Sequence, residues 1–307
     1  MSEKQQILVV VEPENHPDTV VQRAAQIARL GGHDLTLLWC DPDIGPLDTP
    51  FLVSNEARDI AAQIRDAQKK MVSELARSVS GPDLSATGAV LDERPIAEGI
   101  LRNVQELNPA FVFKGTQYHA AAERSIFVDT DWQLMRSCPC PLWLVKPVDL
   151  ASNPVIVAAV DPMHTHDKPA SLDQRIVQYA KSIAALTDGD VHLFHAYQPL
   201  SAIGTAANRT FKPIRLSGED IRREIREEHQ QLLDELADAC ELDQQHRHQQ
   251  AGVPRELIPA FTRSIGAQLV VMGVQARWGL KRSVIGSTAE RVLDHLPCDT
   301  LLISNDD

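Results

Sequence analysis

Gly273-Val-Gln-Ala276-Arg277-Trp278-Gly279-Leu-Lys281-Arg282-Ser283-Val-Ile-Gly286-Ser287-Thr288 is a basic, glycine-bearing stretch. It follows the apolar run Ala267-Gln-Leu-Val-Val-Met272, which is short and continuous enough to predict a buried strand. After it, Ser287-Thr-Ala-Glu290 has the Ser-x-x-Glu spacing of a capping box, so a helix is expected to begin there. Strand, glycine loop and helix start together suit an anion, because free backbone N–H groups and the positive end of a helix converge on one spot. Arg277, Lys281 and Arg282 add cationic side chains to that loop. The stretch is a candidate phosphate site. It is neither a Walker A loop nor a Gly-x-Gly-x-x-Gly dinucleotide turn.

Outward from this loop, the chain repeats itself. Pro154-Val-Ile-Val-Ala-Ala-Val160-Asp161-Pro162 echoes Val9-Val-Val-Glu12-Pro13, and Asp190-Val-His-Leu-Phe-His-Ala196 echoes Asp34-Leu-Thr-Leu-Leu-Trp-Cys40. Ser137-Cys-Pro139-Cys-Pro-Leu-Trp-Leu-Val145 likewise matches His295-Leu-Pro297-Cys-Asp-Thr-Leu-Leu-Ile303. The offset grows from 149 residues (Glu12 to Asp161) through 156 (Asp34 to Asp190) to 158 (Gly115 to Gly273). Insertions therefore fall between strands, where loops accept them. Each half alternates strand and helix, which predicts an α/β fold with a parallel sheet, right-handed crossovers and helices on both faces. Ligands of such sheets bind outside the carboxyl ends of the strands, where Asp161 and Gly273 both fall.

The totals bound the function. The chain has 307 residues, 43% hydrophobic and 23% charged, enough for two globular domains with real cores. A net charge of −12 argues against a nucleic-acid or anionic-membrane binder. No apolar run is long enough to span a bilayer, and the N-terminal Met-Ser-Glu-Lys-Gln-Gln lacks a signal-peptide core. The five cysteines (Cys40, Cys138, Cys140, Cys240, Cys298) contain no Cys-x-x-Cys and are expected to be reduced. A cytoplasmic location is the expectation.

The repeat, the two Val-acid-Pro strand ends and the spacing Gly273-x2-Ala276-x9-Gly286-Ser287 together resemble the tandem universal stress proteins. The nucleotide loop of the ATP-binding members is Gly-x2-Gly-x9-Gly-Ser/Thr, and Ala276 departs from it at the second glycine. The resemblance spans essentially the whole chain. It implies two Rossmann-like (HUP-type) domains, each a five-stranded parallel sheet of order 3-2-1-4-5 flanked by helices. They are placed at 1–148, with a degenerate nucleotide loop, and 153–307, with a near-complete one. It also implies an internal pseudo-dimer, with homodimerisation left open, and ATP or a related nucleotide as ligand of the second domain only. Carried over residue by residue, Asp161 and Ala196 contact the base, while Gly273, Ala276, Arg277, Gly286, Ser287 and Thr288 hold ribose and phosphates.

Subtracting 158 residues from that loop gives its counterpart in the first half. Gly115 stands for Gly273, Tyr118 for Ala276, Glu123 for Lys281, Val128 for Gly286, Asp129 for Ser287 and Asp131 for Ala289. Two glycine positions are bulky and a cation has become an acid, so this half is not expected to bind ATP in the family's manner.

Other polar clusters have plainer readings. His164-x-His166-Asp167 follows the first strand of the second half, and His246-Arg-His248 alternates on a presumed edge strand, both imidazoles facing one way. Structural zinc sites specify four ligands closely, so solvated loop and edge histidines are preferred and no metal is assigned. The segment 198–216 is either a lid over the crevice or simply a long connection. No catalytic constellation emerges, and any ATP hydrolysis is expected to be slow. Two other readings stay open: a non-nucleotide ligand-binding or scaffold protein, and an adenylate-handling enzyme, the latter without a motif for an acceptor.

Overall fold

The computed structural model describes residues 4–41, 55–116, 129–163, 170–198, 218–274 and 292–304. The chain divides into two compact units. The first holds residues 1–150, 276–285 and 299–307; the second holds 151–275 and 286–298.

In the first unit the described elements run β1 (Gln6–Val11), α1 (Pro17–Gly31), β2 (Asp34–Trp39), α2 (Asn55–Val79), β3 (Ala86–Val90), α3 (Ile96–Leu107), β4 (Phe111–Gly115), α4 (Asp129–Ser137) and β5 (Leu142–Val145). Strand order is β3-β2-β1-β4-β5, all parallel, as the alternation of strand and helix predicts. Right-handed crossovers then dictate the layers. The chain moves one way across the sheet through α1 and α2, which touch each other, and the other way through α3 and α4, which also touch. β1 lies between the layers, and Ile7 to Val11 are all essentially inaccessible to solvent. That explains its unbroken β-branched sequence: a strand covered on both faces has no polar face to show. Helix α1 begins with Pro17 at its first turn and stops at Gly32, whose φ of 68° is left-handed.

The second unit runs β6 (Val155–Ala159), α5 (Ala170–Thr187), β7 (Asp190–Tyr197), α6 (Gly218–Ala239), a 3₁₀ turn (Gln244–His246), β8 (Arg247–Ala251), α7 (Pro254–Ser264) and β9 (Leu269–Val274). Its strands lie in the order β9-β6-β7-β8, again all parallel. This is the 4-1-2-3 portion of the first unit's pattern. β8 is an edge strand as expected, although His246 sits in the 3₁₀ turn just before it rather than on the strand itself.

The final strand, β10 (Asp299–Ser304), belongs by sequence to the second repeat but packs in the first unit. It pairs antiparallel with β5, through Thr300 opposite Leu144, Leu301 opposite Trp143 and Leu302 opposite Leu142. Asp299 is fully buried at its start. It accepts hydrogen bonds from Trp143 Nε1–H at 2.8 Å and the Lys146 backbone N–H at 2.9 Å. It also forms an ion pair with the buried Arg23 of α1, whose guanidinium donates as well to the Val148 carbonyl.

Candidate functional site

At the carboxyl edge of the second unit's sheet, register decides which residues meet. Ala159 of β6 is level with Phe194 of β7 and with Met272 of β9. The Val160 N–H continues the ladder to the Phe194 carbonyl at 3.0 Å. Two residues past Ala159, Asp161 therefore stands beside Ala196, with Gly273 one residue short of the same level. Three of the residues expected to line a ligand crevice share one sheet edge. Ala276, Arg277, Gly286, Ser287 and Thr288 lie outside the described residues, as do His164, His166 and Asp167.

Asp161 is anchored through its backbone, whose N–H donates to Asp173 Oδ1 at 3.0 Å. Asp173 is buried in the first turn of α5, so the acid after β6 and the start of α5 are fixed together. Gly273 has a packing reason of its own. A Cβ there would lie 2.8 Å from Leu172 Cδ2 and 3.2 Å from Ile176 Cδ1, so the side chains of α5 close over the strand in the space the missing side chain leaves.

Beneath this edge lies an aromatic and imidazole cluster that reading along the chain does not find. His195 of β7 is buried, with Nδ1 3.1 Å from the Val160 carbonyl and Nε2 2.8 Å from His229 Nδ1 of α6. A carbonyl only accepts, so His195 donates from Nδ1, and its Nε2 receives the His229 Nδ1–H. Tyr197 stacks on the His229 ring at 4.3 Å. Burial holds both histidines below the ordinary imidazole range, against the opposing pull of Asp161 on each. The signal for His195 was local: it shares a strand face with Val191, Leu193 and Tyr197. Its partner, 34 residues away on a charged helix, carried none.

The corresponding edge of the first unit is built differently. Glu12 occupies the place of Asp161, and Lys114 the place of Met272. Lys114 Nζ lies 2.6 Å from Glu12 Oε2 and 2.6 Å from Asp131 Oδ1, all three side chains being buried. Asn15 donates to the same Glu12 oxygen. Burial pulls the ammonium down, but Asp131 and Glu12 outweigh it, and the Lys114 pKa is raised. Gly115 meets the chain even more closely than Gly273 does: a Cβ there would fall 2.3 Å from the Asn15 carbonyl oxygen. The loop after β1 is therefore seated directly on the end of β4, and the strand-end acid is bound within the protein.

The model of the universal stress protein family matches twice, at residues 4–146 and 155–304. Universal stress protein E of Photorhabdus laumondii is 27% identical over 311 residues, covering 100% of this chain and 96% of the relative. Universal stress protein E of Escherichia coli K12 is 26% identical over 308 residues, with 100% and 96% covered. Among solved structures, a functionally unknown protein of Pseudomonas aeruginosa PAO1 matches with a TM-score of 0.67 at 24% identity, over 99% of this chain and 94% of its own. A universal stress protein of Archaeoglobus fulgidus matches with a TM-score of 0.64 at 14% identity, over 97% and 98%. At those identities the structural likeness speaks for the fold alone. Two copies of the family model in one chain, matched over 4–146 and 155–304, make this a tandem member of the universal stress protein family.

Proposed function

We propose that the chain is a cytoplasmic stress-response protein that binds ATP or a related nucleotide at the carboxyl edge of the second unit, as a regulatory switch. The observation that carries this reading is the contrast between the two strand-end acids. Glu12 is bound inside the first unit by Lys114, whereas the matching position in the second unit is Met272, and Asp161 stands level with Ala196 and beside Gly273. In this reading Asp161 accepts a hydrogen bond from the amino group of the base and Ala196 lies against the ring. Gly273, Ala276, Arg277, Gly286, Ser287 and Thr288 take the ribose and phosphates, where a helix start and a guanidinium favour negative charge. Binding would order the 276–286 loop and change the surface offered to a protein partner.

The test is calorimetric titration of ATP with magnesium into the native chain and into Gly286→Val, which copies Val128 of the first half. One site per chain, lost in the variant, supports the proposal. No heat from the native chain, or equal binding by both, overturns it. One observation favours the competing reading, a scaffold with no nucleotide site: the packing of α5 already accounts for Gly273.

A further inference from the structure

At the opposite, amino-terminal edge of the second unit's sheet, four side chains from β7, β8 and the 3₁₀ turn meet. Asp190 opens β7, and His192, two residues on, shares its face. β8 pairs parallel with β7, placing Arg247 level with Leu193, so His246 comes level with His192. Asp190 Oδ2 is 3.4 Å from His192 Nε2, and Asp190 Oδ1 is 3.3 Å from His246 Nε2. The three donor atoms lie within 4.8 Å of one another. The His192 and His246 rings are 5.0 Å apart and 85° to each other, so they meet edge to face rather than stacked.

The cluster also has a supporting layer. His192 Nδ1 is 2.9 Å from His248 Nε2, and His248 packs at 4.8 Å against Phe261 of α7. With Nδ1–H donated to His248, the lone pair of His192 is left on Nε2, the nitrogen nearest Asp190 and His246. Ligand imidazoles are commonly oriented in this way by a group on their second nitrogen. Exposure fits ion entry: the Asp190 side chain is 54% exposed while His192 and His246 are 17% and 20% exposed. Solvent reaches the carboxylate, and the rings wall the rest.

We propose that Asp190, His192 and His246 form a binding site for a divalent transition-metal ion of the zinc class, with His248 as the positioning residue for His192. Two imidazole nitrogens and one carboxylate suit zinc better than magnesium or calcium, which take oxygen sets. Each imidazole nitrogen has a carboxylate oxygen at 3.3–3.4 Å, and the three donor atoms, within 4.8 Å of one another, need close only modestly to reach the edge of about 3.4 Å of a tetrahedron drawn about an ion at about 2.0–2.1 Å from each ligand. Three protein ligands leave a fourth position for water. Along β7 this site is about 20 Å from the edge carrying Asp161 and Ala196, at about 3.3 Å per residue, so it stands or falls independently of the nucleotide reading.

The experiment is equilibrium dialysis of the full native chain against zinc chloride, beside His246→Gln and His248→Gln. One ion per chain is expected, with retention lost in His246→Gln and affinity about 10–100-fold weaker in His248→Gln. No uptake by the native chain, or undiminished uptake by His246→Gln, overturns the proposal. Cobalt(II) on the native chain supplies a readout independent of variant folding. Visible d–d bands without thiolate charge transfer support the nitrogen–oxygen set, and a thiolate band places the ion on cysteine and overturns it.

Discussion

Lys114 shows how far a residue's role can depart from its setting in the sequence. In Phe111-Val-Phe-Lys-Gly115 a lysine reads as a polar residue at the end of a strand, yet its side chain is fully buried between two carboxylates from residues 102 positions upstream and 17 downstream. Removing one member of such a group strands the others without solvent, so Lys114→Met should destabilise the first unit by about 3–5 kcal/mol. Urea unfolding measures this, and adding Glu12→Gln to Lys114→Met should restore part of the loss, since one stranded charge is then removed. Because the folded Lys114 pKa lies above the unfolded one, this contribution is complete below about pH 10.4 and fades only as pH rises through the folded value. His195 and His229 act on the acid side. Both are depressed by burial, so the unfolded chain binds more protons as pH falls through about 6.5, and stability should drop there. Asp161, Asp173 and Glu228 oppose part of that depression. Chemical denaturation at pH 8 and pH 5 checks the sign, and His229→Gln should flatten the slope.

At the scale of elements, the strands covered on both faces were legible because unbroken apolar runs of four to six residues have few other uses in a chain of this composition. β8 is the instructive exception. Its sequence, Arg247 to Ala251, has no apolar residue but the last, and only the alternation of polar side chains marked it as an edge. The convergence of His192, His246 and His248 was not legible, since it depends on the β7–β8 register, which no local pattern states. The strand-end glycines could be found but not explained: a loop motif and a packing contact select the same residue. The structure separates them by severity. At Gly273 a new Cβ meets the ends of Leu172 and Ile176, which can turn aside, whereas at Gly115 it meets a backbone oxygen, which cannot. Gly115→Ala should therefore cost at least about 3 kcal/mol and Gly273→Ala only about 1 kcal/mol, an ordering that thermal melts of the two variants would establish. Equal costs would mean that the loop after β1 yields more readily than its packing implies.

For the molecule as a whole, β10 joins elements that lie far apart in the chain. The repeat assigns Asp299–Ser304 to the second half, yet its ladder with β5 and the buried bonds of Asp299 lie in the first unit. The resemblance implies an internal pseudo-dimer in which the two final strands meet, and Leu142–Val145 does pair with β10; what no local pattern states is that Asp299 meets Arg23 across 276 positions of chain. A parallel sheet ending at β5 would present unpaired backbone groups along a strand whose four residues are all buried. The antiparallel addition of β10 satisfies that edge, and the Arg23–Asp299 pair holds it in place. Asp299→Ala thus leaves a buried guanidinium without its anion and releases Trp143 Nε1–H and the Lys146 N–H, an expected loss of about 3–5 kcal/mol. The loss should appear where the contacts are rather than where the mutated residue falls in the repeat. Hydrogen exchange on the full chain should speed up in Leu142–Val145 and around Arg23 in α1, while β6 and β7 keep their protection. Faster exchange confined to the second unit would mean that the ladder of β10 with β5 contributes little to holding the first unit together.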